Sequence, residues 1–511
     1  MTAAAARELA GQIEAHDVGA GRHWTALRLR VLGALAAAGL LLGGCAVNPA
    51  TGERQFTGLM PVAQEAAVGA EQHPQILEEF GGEVQDPEIR AYVDRLGQRL
   101  AANTERSDVK YTFTVLDSDV VNAFALPGGY VYITRGLMAL ANSEAQLAGV
   151  IGHEIGHITG RHTAERYSRG TVAQVGAVLA SVLGGAELGQ LAAQGAQYAL
   201  AGWGRGQELE ADQLGIRYMA NAGYDPMEMA RFLDTMGRHA QLEALLAGQP
   251  GAADSFNYLQ THPPTGERVE RASAAVAQNP GQDWIVNSEE YLRRIDGLLY
   301  GDNPEHGFVR DRMFVHPTLG FRFEVPEGFR LLNGTQQVTA IGPQQQAQII
   351  FDVARSQSTR DPVQFLTGEW AGQAQLNGVQ SLSVNGRPAA TGLTRANTNQ
   401  GAVDVRLVAI QWDNSTFYRF LFASAPQATA SLDRDFQQVV NSFRTLSQSE
   451  RSQFRPYRLR TVSVRSGETA EDYIRRMPFS EYAEERFRVL NNIPPGQQLQ
   501  PGQLIKIVTE G

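Results

Sequence analysis

Cysteine is nearly missing: the 511 residues contain one, Cys45, so no internal disulfide can form and each core must be held by packing. Lysine is almost as rare, with only Lys110 and Lys506, a bias that fits genome composition better than a device of function. Charged residues make up 19% of the chain and sum to −10, an acidic balance that argues against non-specific binding to nucleic acid or anionic lipid. Long apolar runs are wanting as well. The run at 31–42 and the pieces around 176–183 are shorter than the roughly 20 residues a helix needs to cross a bilayer. No repeat at the tetratricopeptide period is visible. What is present, 43% hydrophobic residues over this length, suffices for two or three cores.

One short stretch carries chemistry. Val150-Ile151-Gly152-His153-Glu154-Ile155-Gly156-His157 lies in a helical pattern, and its histidines, four residues apart, share one helix face where they can grip a single metal ion. Glu154 is then placed to work on metal-bound water. The bland alternative is two solvent-facing histidines, and the neighbourhood argues against it. Ser143 and Gln146 make a capping box, while Ala145, Leu147, Ala148, Val150 and Ile151 give the apolar content of a buried helix. Burying two histidines without a partner is costly, and one cation accounts for both.

A tetrahedral catalytic zinc needs a third protein ligand and one open position. Gly206-Gln207-Glu208-Leu209-Glu210-Ala211-Asp212 opens a second helical pattern that runs on through Ile216, Met219 and Ala220. Glu208 and Asp212 stand one turn apart on one face: Glu208 can bind the metal, and Asp212 can accept a hydrogen bond from a liganding imidazole and fix its tautomer. Glu210, the rival ligand, points to another side of the helix.

HEIGH followed by this ExxxD pair resembles the M48 family of gluzincin metallopeptidases. Three further segments agree. Asn122-Ala123-Phe124-Ala125-Leu126-Pro127-Gly128-Gly129 is similar to the family's NAFxxPGG strand. Arg161-His162 follows the helix as in the soluble branch, and Thr261-His262-Pro263-Pro264 with Arg268 resembles the family's HPP segment. The resemblance covers about 47–277. It implies one Zn2+ per chain held by His153, His157 and Glu208, with Glu154 passing the proton of metal-bound water to the departing amine of a cleaved peptide bond. His262 has three readings: it stabilises the oxyanion, fills the open zinc position in a resting state, or begins a helix before Pro263. His162 leaves the metal-facing stripe and reads as structural. The alternation in Tyr130–Thr134 is that of a half-buried strand whose exposed edge can pair with an extended substrate, and Asn122, Ala123 and Phe124, just ahead of it, are the expected substrate-binding residues. The stretch 171–203, rich in Ala, Gly, Val and Leu, reads as a helical hairpin packed on the catalytic helices, with a mobile flap as the sharper alternative.

The N-terminus has its own signature. Arg28 and Arg30 precede the apolar run, and Leu42-Gly43-Gly44-Cys45 resembles a bacterial lipobox, which implies a leader at 1–44 and a lipidated Cys45. Ala46 in the next position implies sorting to the outer membrane in a Gram-negative host. Residues 1–27 make an unusually long n-region carrying Glu8, Glu14 and Asp17, simply explained by a start assigned too far upstream. Removing 1–44 takes away four arginines and three acidic residues, so the net charge moves from −10 to −11.

The expected fold is multi-domain α+β. A mainly helical gluzincin-type metallopeptidase domain with a small edge-exposed sheet occupies 45–300. An α+β sandwich, loosely similar to PsbP-type or DcrB-type domains, spans 308–446, with strand-like alternation from Phe314 to Phe329. An arginine-rich linker follows at 447–460. Residues 461–511 resemble a LysM module, a βααβ fold, which implies peptidoglycan as a partner; Asn491-Asn492 falls at that module's asparagine motif, while 474–483 departs from its usual helix pattern. The expected function is a zinc-dependent endopeptidase of the periplasm, lipid-anchored to the outer membrane and acting on misfolded or misassembled envelope polypeptides. The alternative from another class is a mainly non-proteolytic chaperone or peptidoglycan-binding scaffold with a restrained metal site; cutting of peptidoglycan cross-links ranks last.

Overall fold

The computed structural model describes residues 45–170, 204–249, 262, 270, 273–274, 277, 282–398 and 401–511. The leader expected at 1–44, the stretch 171–203, Arg268, and the HPP segment apart from His262 lie outside the described residues.

The chain opens on a small hairpin, β1 (Cys45–Val47) and β2 (Arg54–Phe56), followed by helix α1 (Val62–Glu79). Helix α2 (Pro87–Ala101) starts where the Asp86 carboxylate accepts from the backbone N–H groups of Glu88 and Ile89 and Pro87 fills the first turn. Three strands form one sheet in the order β3-β5-β4: β3 (Thr112–Leu116) runs parallel to β5 (Tyr130–Thr134), and β4 (Ala123–Leu126) pairs antiparallel with β5 at the edge. The turn joining β4 to β5 needs glycine. Gly128 and Gly129 hold φ of 81° and 98°, and a Cβ on either would meet backbone at 2.5 Å, at Ala66 and at Lys110.

Helix α3 (Arg135–Leu140) leads to α4 (Glu144–Thr159), all of whose residues are buried. Ser143 caps α4, its hydroxyl accepting from Gln146 N at 3.1 Å, but the Gln146 side chain reaches one residue beyond the cap to accept from Asn142 N at 2.7 Å. Helices α5 (Arg205–Asn221) and α6 (Met227–Leu246) pack on α4, and α7 (Ser288–Arg294) closes the domain. The α4–α5 crossing is close because small residues meet there. A Cβ on Gly152 would lie 3.1 Å from Gly215 O, and one on Gly156 would lie 2.8 Å from Ala211 O.

Beyond it the chain is β-rich. After β6 (Leu299–Tyr300), strands β7 (Phe308–Arg310), β8 (Met313–His316) and β9 (Phe321–Glu324) form a four-stranded sheet with β17 (Arg444–Thr445). A seven-stranded antiparallel sheet has the order β10-β11-β12-β16-β15-β14-β13, built from β10 (Arg330–Asn333), β11 (Gln337–Ile341), β12 (Ala347–Arg355), β13 (Asn377–Val384), β14 (Arg387–Thr398), β15 (Gly401–Gln411) and β16 (Thr416–Ser424). An aromatic core joins the two sheets to α8 (Pro426–Ser442), with Phe314, Phe321 and Phe323 against Phe351 and Phe420. The other face is covered by helical residues 362–370, where Phe365 stacks on Phe417 at 4.1 Å.

The stretch 447–460 is structured. After β17 (Arg444–Thr445) it holds a helical turn, Gln448–Arg451, and the first residues of β18 (Tyr457–Ser463). Then come α9 (Ala470–Ile474), α10 (Ala483–Leu490) and β19 (Leu504–Glu510), an order β-α-α-β. This C-terminal unit is no pendant. β18 pairs with β6, and Leu459, Tyr473, Phe487 and Val508 share one apolar cluster with Leu140, Ile151 and Tyr291 of the helical domain.

Candidate metal centre

His153 and His157 project from adjacent turns of α4, and Glu208 and Asp212 from adjacent turns of α5; all four are buried. The Nε2 atoms of the two histidines lie 3.0 Å apart, and the Glu208 carboxylate lies 3.5 Å from His153 Nε2 and 3.3 Å from His157 Nε2. Far along the chain, His262 joins them, its Nδ1 3.1 Å from His153 Nε2 and 3.0 Å from Glu208 Oε2. One donor atom from each of His153, His157, Glu208 and His262 falls within 4.8 Å of the others.

This donor set fits a cation. His153 Nδ1 stands 2.9 Å from Asp212 Oδ1, so its proton sits on Nδ1 and its Nε2 carries a lone pair. That lone pair faces a second imidazole nitrogen and a carboxylate in a site without solvent, where positive charge among them removes the repulsion. Burial pushes the His157 imidazole well below its ordinary pKa, which favours the neutral, ligating form. Burial alone would raise the Glu208 carboxyl, but the imidazoles gathered around it outweigh that and hold the group ionised. Nitrogen and carboxylate oxygen donors in this number suit zinc.

Glu154, next to His153 and 1% exposed, has Oε1 3.8 Å from His262 Nε2. Asn122, Ala123 and Phe124 are not among the donors; they lie at and inside the start of β4, the edge strand that packs against α4, whereas Tyr130–Thr134 forms the central strand β5, paired on both sides, and offers no free edge. The main chain of Asn122 is bonded to Thr134, and Phe124 stacks on Tyr132 with ring centroids 4.9 Å apart.

Residues 87–276 match the profile of Peptidase family M48. Over that span the chain is similar to the M48 peptidases. All four donors fall inside the matched span. The beta-barrel assembly-enhancing protease of Yersinia pestis is 33% identical over 235 residues, which are 43% of this chain and 46% of that protein. Its namesake from Escherichia coli K12 is 31% identical over 220 residues, 40% of this chain and 42% of the relative. The mitochondrial metalloendopeptidase OMA1 of Schizosaccharomyces pombe is 27% identical over 230 residues, 44% of this chain and 64% of that protein. The chain thus spans less than half the length of the bacterial relatives it matches.

Sequence reasoning did not find the support around the donors. His162 stands with its Nδ1 2.8 Å from His157 Nδ1, and Glu210, set aside as a ligand, faces His162. The small residues at the α4–α5 crossing were visible as Gly152, Gly156, Ala211 and Gly215, two pairs spaced by four; that spacing was the available signal.

Proposed function

We propose that this protein is a zinc-dependent endopeptidase of the bacterial cell envelope that hydrolyses misfolded or misassembled envelope proteins. The observation that carries the reading is the buried, convergent donor set of an M48-like span with a carboxylate, Glu154, on the same helix turn. His153, His157 and Glu208 would hold the ion. When bound, zinc supplies Lewis-acid polarisation of the scissile carbonyl and of water. Glu154 takes the proton of the attacking water and hands it to the leaving amine. Asp212 keeps the His153 proton on Nδ1. The edge position of β4 supports pairing of an extended substrate along Asn122, Ala123 and Phe124.

The envelope setting draws on the names of the bacterial relatives and on the lipobox-like Leu42-Gly43-Gly44-Cys45, which would tether the chain to the outer membrane through a lipid on Cys45. The β-α-α-β order of the C-terminal unit is compatible with a LysM-like contact to peptidoglycan. One observation favours the second reading, a restrained site with little proteolysis: His262 sits among the donors, against both Glu208 oxygens. Metal analysis and casein cleavage separate the two. Glu154→Gln is expected to keep zinc and lose cleavage, and His153→Ala to lose both. Casein cut by Glu154→Gln at the wild-type rate would sink the mechanism, and zinc-loaded wild type that leaves casein intact would favour the restrained scaffold.

A further inference from the structure

His157 turns its second ring nitrogen away from the donor cluster and onto another imidazole. Its Nδ1 lies 2.8 Å from Nδ1 of His162, which is 1% exposed. His162 folds back onto α4 because Arg161 takes a left-handed conformation, φ 54°, held by hydrogen bonds from its guanidinium to Glu65 at 2.7 Å, Thr57 at 3.0 Å and Met60 O at 2.7 Å. On its far side His162 Nε2 faces Glu210 Oε1 at 3.5 Å. The same carboxylate oxygen accepts a 2.5 Å hydrogen bond from Nδ2 of Asn48. Asn48 is buried and organises the turn of the N-terminal hairpin, where its Oδ1 accepts from Ala50 N at 2.9 Å.

The protons along this line are set by chemistry. Two Nδ1 atoms 2.8 Å apart need one N–H and one lone pair between them. When His157 Nε2 is a ligand, its proton is on Nδ1 and donates to His162. The His162 proton then sits on Nε2, toward Glu210. The two ligand imidazoles are therefore held differently: His153 directly by the Asp212 carboxylate, His157 by a carboxylate acting through a second imidazole.

We propose that His162, Glu210 and Asn48 are positioning residues for the His157 imidazole, so that the hairpin at Cys45–Phe56 forms the outer support of the metal centre. The proposal deepens the peptidase reading and rests on it in one respect, that His157 binds a metal. It ties the residues just after Cys45 to the catalytic helix through three side chains.

The test uses the full chain, with zinc affinity measured by chelator competition and the visible spectrum of the cobalt-substituted protein. His162→Ala is expected to weaken zinc about 10–100-fold, the usual loss when a ligand's supporting partner is removed, and to shift the cobalt bands. His162→Asn, which keeps an acceptor near the Nδ1 position, should restore affinity toward wild type; this separates lost positioning from lost folding. Glu210→Gln should weaken zinc alone but add nothing in the His162→Ala background, because the two act in series. Asn48→Ala should give a smaller loss in the same direction. Zinc affinity unchanged in His162→Ala, or a full additive loss from Glu210→Gln in that background, overturns the proposal while leaving the peptidase reading standing. Wild-type protein that binds no zinc brings down both.

Discussion

At the scale of single residues, the candidate centre depends on which ring nitrogen of each histidine carries a proton. Asp212 fixes this for His153 through the 2.9 Å contact to Nδ1. Asp212→Asn still offers an oxygen acceptor but removes the charge, and zinc affinity should fall about 10–100-fold with the helices intact. Chelator competition alongside circular dichroism checks this; equal affinity would show that the carboxylate charge is idle. His153, His157, Glu208 and Asp212 were legible in the sequence because spacings of four on a helix put side chains on one face. His162, Glu210 and Asn48 were not. Their meeting needs a left-handed turn at Arg161 and a hairpin more than a hundred residues upstream of the motif, and neither leaves a periodic trace. His262 was visible only through the motif around it; its place against Glu208 depends on tertiary folding.

At the scale of elements, the centre exists because α4 and α5 approach closely enough for a Glu208 carboxylate to reach imidazoles on another helix. Gly215 permits that approach: a Cβ there would lie 2.8 Å from His153 N and 3.0 Å from Gly152 C, both backbone atoms that cannot swing aside. Gly215→Ala should therefore cost about 1–3 kcal/mol of stability through overpacking and weaken zinc binding as the helices part. Gly237→Ala, in α6 with nothing within 4 Å of the added Cβ, is the matched control and should be neutral or stabilising by up to about 1 kcal/mol. Thermal melts and zinc titration of the two variants decide; Gly215→Ala behaving like Gly237→Ala would remove the close crossing as the cause. The elements themselves were largely readable. Alternation from Phe314 to Phe329 marked strands that form β8 and β9. The polar, arginine-rich 447–460 misled because composition describes solvent exposure, whereas β18 is recruited there by pairing with a distant strand, β6.

At the scale of the whole molecule, two polar groups that sequence could not flag, one half-buried and one buried, bridge parts of the described chain beside the apolar packing. Asp302 is one, accepting from Val309 N at 2.7 Å and Asn333 Nδ2 at 3.0 Å where the helical domain passes into the sandwich. Burial and the charge of Asp119 push its carboxyl up to about 6. A raised acid contributes stability that is present below its unfolded pKa of about 3.9 and is lost as pH climbs through 6, so wild type should lose stability relative to Asp302→Asn between pH 4 and 6. Parallel melts across that window test it, and a constant difference would place the carboxyl at an ordinary pKa. Lys506 is the second group, and the scarcity of lysine made it look incidental. From β19 its Nζ reaches Ala139 O and Ala141 O at 2.7 Å and Leu140 O at 3.1 Å, at the end of α3 and just ahead of the Ser143 cap of α4. The Nζ atom lies within hydrogen-bond distance of three carbonyls with no exposure to water. Burial pushes the amine well below the ordinary lysine range. Between that lowered value and the unfolded value of about 10.4 the unfolded chain binds more protons, so the stability owed to Lys506 rises with pH. Lys506→Met keeps the stem and strips the donors, leaving buried carbonyls unpaired at about 1–3 kcal/mol each, partly offset by relief from burying an amine. The variant should melt below wild type at pH 7, and the gap should widen toward pH 9.5. A gap that stays level or closes would mean that the apolar seam alone docks the C-terminal unit beside the helix that carries His153 and His157.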